Sequence, residues 1–194
     1  MFVDNRIQQT KAVMRREIAA KLKELTPTRR ESASGLARAL LQGQRVWREA
    51  RSVLFYAPLP HELDVWALME KALAGGKTVG LPRFEAETGS YIPCSIENLA
   101  RDLQEGRYGI REPAGRCGRL AINGLDLILA PGVAFDMRGC RLGRGKGHYD
   151  RLLAAARGQV CGVVFDEQIV QEVPAEPHDV FVNCILTPTR WIEL

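Results

Sequence analysis

No apolar run in this sequence is long enough to span a bilayer, and no secretory signal is read at its N-terminus. A soluble, cytoplasmic protein with no membrane partner is therefore expected. Cysteine is sparse and poorly spaced for chemistry. Cys94, Cys117, Cys140, Cys161 and Cys184 are odd in number, form no C-x-x-C pair and have no histidine at zinc spacing. That argues against a disulfide scaffold and an ordinary zinc site, and leaves reduced thiols. Their near-regular spacing has no matching repeat in the flanking residues, so a repeat array is not expected. A large charge excess is missing too. The formal net charge of +4 is too small to argue for a nucleic-acid surface, so no nucleic-acid partner is expected.

What the chain does have is the substance of one domain. Its 194 residues are 46% hydrophobic, enough for a sizeable core, so a single domain over 1–194 is expected, and its assembly is taken to be a monomer although these numbers do not give the oligomeric state. Met14, Ile18, Leu22 and Leu25 recur at three- and four-residue steps and predict an amphipathic helix over 8–25. Lys11 and Arg15, four apart, share one side of it. Thr26 and Pro27 read as the cap and first position of a second helix running to about residue 41 and ended by Gly43. A buried strand over 52–57, closing at Ala57, leads through PLPHELD into a helix over 64–74 that Gly75 and Gly76 terminate. Strands follow over 77–81, stopped by Pro82, then 91–96, 125–130 and 159–165, with helical turns over 97–103 and 167–170 and a last apolar run through Leu186. This alternation predicts an α/β sheet, in which ligands collect past the carboxyl ends of strands. Glu62, Asp64, Asp136 and Asp166 fall in such places.

The most distinctive stretch is 125–153, LDLILAPGVAFDMRGCRLGRGKGHYDRLL. After its apolar strand come the cations Arg138, Arg141, Arg144, Lys146 and Arg151 against the acids Asp136 and Asp150, interleaved with Gly139, Gly143, Gly145 and Gly147. Glycine lets backbone N–H groups approach a ligand closely, and a helix restarting at about His148 would aim its free N–H groups into the loop. That combination suits a triphosphate. The loop is not a Walker A, because Gly147 follows Gly145-Lys146 where Ser or Thr would hold magnesium, and it does not match G-x-G-x-x-G either. Tyr149 is its one aromatic, too few for a base-stacking platform. HELD over 61–64 lacks the second histidine of a zinc protease. The residues alone leave second readings in place: a solvated turn for the basic loop, a solvated face for Lys11 and Arg15, a helix cap for Glu62, a core position for Tyr108 and a plain turn for His178 and Asp179.

The segment PGVAFDMRGCRLGRGKGHYDR resembles the signature of the 5-formyltetrahydrofolate cyclo-ligase, or methenyltetrahydrofolate synthetase, family. The likeness extends to KAVMR at 11–15, PLPHELD at 58–64, LPRF at 81–84, YGIREP at 108–113 and HD at 178–179, nearly the full chain. It implies an α/β fold, a three-layer α/β/α sandwich with a mixed, largely parallel sheet. It also implies an enzyme that converts 5-formyltetrahydrofolate to 5,10-methenyltetrahydrofolate through an iminophosphate, with ATP as co-substrate and Mg2+ as cofactor. In that pattern Arg144 and Lys146 are catalytic. ATP is held by Lys11, Arg15, Arg144, Gly145, Lys146, Gly147, His148, Tyr149 and Asp150. The folate is held by Ala57, Glu62, Tyr108, Arg144, Gly145, Lys146, Gly147 and His148, and magnesium by Asp150 and Asp179. Two residues depart from the pattern: His148 replaces a frequent aromatic, and Asn183 a frequent aspartate. They are the support for a competing reading as a non-catalytic folate- or ATP-binding module. An RNA-binding reading of the Gly/Arg loop is disfavoured by the modest net charge.

Overall fold

The computed structural model describes residues 5–106, 109–176 and 179–194. Its chain order is α1 (Asn5–Lys23), α2 (Pro27–Gly43), α3 (Arg45–Glu49), β1 (Ser52–Leu54), α4 (Trp66–Ala74), β2 (Thr78–Glu85), β3 (Ser90–Ile96), α5 (Leu99–Asp102), β4 (Leu103–Glu105) and β5 (Arg111–Pro113). There follow β6 (Leu127–Pro131), β7 (Ala134–Phe135), β8 (Arg141–Leu142), α6 (His148–Leu153), β9 (Gln159–Val163), β10 (Cys184–Leu186) and β11 (Trp191–Glu193). Short 3-10 turns over Ile122–Gly124 and Asp166–Gln168 complete it. Among the described residues no helix is long and apolar enough to cross a membrane.

Seven strands form one mixed sheet in the order β11-β10-β9-β6-β1-β2-β3. Neighbours from β10 to β2 run parallel, and β11 and β3 are antiparallel at the two edges. The strands are apolar without alternation because both faces are covered. Leu127 and Leu129 of β6 pack on one side with Ile18, Leu22, Leu41, Leu68 and Met69 of α1, α2 and α4. Ile128 and Ala130 point the other way, toward Leu152 and Leu153 of α6. Two cores on opposite faces of one sheet make the three-layer α/β/α arrangement.

Local signals set most boundaries. Thr26 accepts the Arg29 N–H through its hydroxyl at 3.2 Å and Pro27 opens α2, which ends at Gly43. β2 corrects the sequence expectation: it does not stop at Pro82 but runs on to Glu85. The Gly80 carbonyl faces β1, accepting from Phe55 N–H at 2.8 Å, so an N–H two residues on would face the same way. There β1 has already ended at Leu54, and Pro82 forfeits no ladder bond. Opposite it on β3 stands Pro93, whose carbonyl faces away from β2 and accepts from Leu120 N–H at 2.8 Å. β1 is likewise shorter than the predicted 52–57, and the chain beyond it bends into the loop that carries Glu62.

Candidate active site

A cleft opens at the carboxyl ends of β1 and β6, beside the later half of β2, and encloses about 1190 Å³, part of it open to solvent. Of the residues expected to bind ligands, Ala57, Glu62, Arg144, Lys146, Gly147, His148, Tyr149 and Asp150 line it. Lys11, Arg15, Gly145 and Asp179 do not, though Arg15 reaches the loop from behind. Tyr108, and His178 of the HD pair, lie outside the described residues.

The glycine loop takes its shape from two positive φ values, 93° at Gly145 and 63° at Gly147, where a side chain would be strained. Gly147 is the N-cap of α6, which starts at His148 as expected. Arg15 Nε donates to the Gly143 carbonyl at 2.8 Å, and its guanidinium packs beside Gly145. Among the described residues no carboxylate pairs with Arg15, and burial lowers its pKa. Its charge therefore stands behind the loop with no acid against it among the described residues.

Arg144 reaches out of the loop in the other direction. Its Nη2 lies 2.7 Å from Glu62 Oε1 and 2.6 Å from His61 Nε2, a contact that needs a neutral imidazole accepting at Nε2. Burial and the nearby Arg144 charge both lower the His61 pKa, which favours that form. The second Glu62 oxygen accepts Leu59 N–H at 2.9 Å. The first amide of α4, Trp66 N–H, goes instead to Asp64 Oδ1 at 2.7 Å. Glu62 thus faces the cleft, and the acid at the helix start is Asp64.

Lys11 is buried against Glu176 Oε2 at 2.9 Å and Asp179 Oδ2 at 2.8 Å. Burial opposes its charge, but these two acids outweigh it and hold the pKa above its usual value. The expected ATP cation and the expected metal acid are therefore direct partners. Asp150 accepts from Arg141 Nη2 at 2.5 Å and is largely buried. Among the described residues no three His, Cys, Asp or Glu side chains converge on a point where a metal would sit.

The sequence marks Arg141 only as one more cation of the basic stretch. In the fold it is buried on the cleft wall, with its guanidinium 5.6 Å from the Tyr149 ring and its Nε lacking a hydrogen-bond partner. Phe84 enters the sequence reading only as the end of the LPRF motif, with no site role, and Tyr91 carries no sequence signal of a site. His148 packs edge-on against both, at 5.3 and 5.5 Å between ring centroids, so the histidine that departs from the family pattern still completes an aromatic wall. Asn183, the second departure, has a structural role, because its Oδ1 accepts Val160 N–H at 2.8 Å on the neighbouring strand. Asp136, set among the strand-end acids by the sequence, is fully buried and accepts N–H groups from Arg138, Cys140 and Val173. It organises the β7–β8 turn and does not line the cleft.

An open, mostly parallel sheet with a cationic glycine loop and an aromatic-walled cleft past its strand ends is the α/β arrangement in which small-molecule ligands bind. The model described as the 5-formyltetrahydrofolate cyclo-ligase family matches residues 7–188, and the chain belongs to that family. It is 35% identical over 190 residues to a 5-formyltetrahydrofolate cyclo-ligase of Mycolicibacterium smegmatis, covering 95% of this chain and 96% of the relative. The enzyme of that name from Escherichia coli is 31% identical over 145 residues, 73% of this chain and 80% of the relative. The NMR structure of Aquifex aeolicus 5,10-methenyltetrahydrofolate synthetase superposes with a TM-score of 0.85 at 29% identity, covering 95% of this chain and 92% of that one. A Mycoplasma pneumoniae structure of the same name has a TM-score of 0.73 at 20% identity and attests the fold alone.

Proposed function

We propose that the chain closes 5-formyltetrahydrofolate to 5,10-methenyltetrahydrofolate, converting ATP to ADP and phosphate. The observation that carries this reading is the Arg144–Glu62 ion pair, because it joins a phosphate-type loop to a carboxylate suited to a pterin within one cleft. Glu62 accepts hydrogen bonds from the pterin amino and ring N–H donors, with Ala57 beside it. Gly145, Gly147 and the N–H groups at the start of α6 cradle the triphosphate with His148 and Tyr149, while Arg15 supplies charge behind the loop and Lys11, paired with Glu176 and Asp179, reaches the nucleotide by exchanging those acids for phosphate.

The formyl oxygen is a poor leaving group as it stands. It attacks the γ-phosphorus, ADP departs, and the N5–CH unit becomes an iminophosphate. N10 then adds to that carbon, loses its proton, and phosphate leaves with the C–O bond electrons, giving the methenyl cation. No protein nucleophile takes part. Arg144 and Lys146 stabilise charge on the transferring phosphoryl group, and the aromatic wall of Phe84, Tyr91 and His148 limits water.

Magnesium, when bound with ATP, neutralises phosphate charge. It usually takes one or two carboxylates together with phosphate oxygens and water; Asp150 in the cleft wall and Asp179 would supply them, each exchanging its present partner, Arg141 or Lys11, for the metal. The same reading takes residues 1–194 as one domain, acting as a cytoplasmic monomer. The test is growth of methenyltetrahydrofolate absorbance on mixing protein, ATP, magnesium and 5-formyltetrahydrofolate, with ATP hydrolysis that requires the folate. Folate-independent hydrolysis, or none, would overturn it.

A further inference from the structure

Three arginines line the cleft, and two of them are discharged by an acid: Arg141 by Asp150 and Arg144 by Glu62. Arg111, at the start of β5, is different. Its Nη2 donates to the Leu99 carbonyl at 3.1 Å, and its guanidinium lies 5.0 Å from the centroid of the Trp66 ring. Among the described residues it forms no ion pair. The β4–β5 register sets Glu105 opposite it, yet the two side chains are not paired. Glu112, next along the strand, turns its carboxyl group against Gly106, where an added Cβ would lie 2.5 Å from Glu112 Cδ. A carbonyl and an aromatic face thus fix the Arg111 guanidinium in place without cancelling its charge.

Position adds a second argument. Arg111 is exposed while Tyr56 and Leu63 beneath the Glu62 loop are buried, so it stands at the mouth of the cleft. Trp66, on which it rests, opens α4 four residues after Glu62. The cation is therefore tied to the same segment that carries the proposed pterin acceptor. A folate held by its pterin at Glu62, with its formyl group toward Arg144 and Lys146, extends its p-aminobenzoyl ring outward and ends in a glutamate bearing two carboxylates.

We propose that Arg111 recognises a carboxylate of this glutamate tail, and so sets the preference of the cleft for folates over pteroates. The inference rests on the folate reading of Glu62. It makes Arg111 a specificity residue for the tail, remote from the reacting atoms. Trp66 serves as the platform that holds the guanidinium ready.

The test is equilibrium binding by calorimetry, without ATP, of 5-formyltetrahydrofolate and of 5-formyltetrahydropteroate, which lacks the glutamate. The wild-type protein should prefer the glutamate-bearing ligand by about tenfold, the scale of one hydrogen bond to a charged group at a wet rim. Arg111→Ala should bring the folate down to the affinity of the pteroate and leave the pteroate unchanged, while Arg111→Lys keeps part of the preference. Thermal unfolding of each variant separates these effects from loss of fold. Equal weakening of both ligands by a folded Arg111→Ala, a preference that survives it, or a wild-type protein with no preference would each overturn the inference while leaving the folate site standing. Failure of the wild type to bind either ligand would instead remove the folate reading on which the inference rests.

Discussion

Arg144 Nη2 and Glu62 Oε1 lie 2.7 Å apart although 82 positions separate them in the chain. The side chain assigned to the phosphoryl group and the one assigned to the pterin satisfy each other, so each ligand must displace the other ligand's anchor. Glu62→Gln should weaken 5-formyltetrahydrofolate binding by about 1.5 to 3 kcal/mol, the range for a hydrogen bond to a charged group. The same change frees Arg144 and should strengthen ATP binding in the absence of folate, by no more than about 1 kcal/mol because the Arg144 side chain is half open to water. Calorimetry with each ligand separately checks both signs. Unchanged folate affinity would end the pterin role.

Lys146 lines the cleft on the same loop, between the two glycines whose positive φ values set its path. Lys146→Ala removes a charge and leaves that path intact. Turnover should fall by roughly two orders of magnitude, comparable to losing one donor that stabilises developing charge, with the melting temperature preserved. A folded variant with near-normal turnover would take Lys146 out of the mechanism.

The sequence made the local parts of this architecture readable and hid the distant ones. Thr26-Pro27, Gly43 and the glycines of the loop act on backbone within a few residues of themselves, so helix starts, helix ends and the loop itself could be read from a few residues. β2 continuing through Pro82 could not, since the tolerance for proline there depends on where β1 ends. The two-stranded ribbons β4–β5 and β7–β8 are too short to leave a periodic signal. Lys11 against Asp179 and Arg144 against Glu62 are contacts between chemically plausible partners, but nothing in the sequence spacing selects those partners over others. Arg141 and Arg144 read alike as cations in a basic stretch. Only the fold turns one into the wall and leaves the other at the opening.

The magnesium assignment is open to a direct experiment. Asp150→Asn and Asp179→Asn should each raise the magnesium concentration needed for half-maximal rate, because each replaces a carboxylate by a neutral oxygen. Folate binding without ATP should barely change. If both variants keep the parent's magnesium dependence, the ion is held elsewhere. Asp166, bonded to the Thr189 hydroxyl at 2.7 Å, would then be the next acid to test.

Asp136 offers a stability prediction independent of any ligand. Burial alone would disfavour its charge, but the Val173 N–H, the Arg138 guanidinium and the Cys140 and Arg138 N–H groups together outweigh burial and hold its pKa below the ordinary carboxyl value. A group depressed on folding stabilises fully above its unfolded pKa, about 3.9 for aspartate, and its contribution drains away as pH falls from there through the folded value. Asp136→Asn should therefore cost about 3 kcal/mol at neutral pH, the scale of breaking a buried charged network. The gap in melting temperature between variant and parent should close on acidification below that unfolded pKa, and only there. A gap that stays constant down to strongly acid pH would mean that the loss comes from packing around β7 and β8, with the carboxylate charge playing no part.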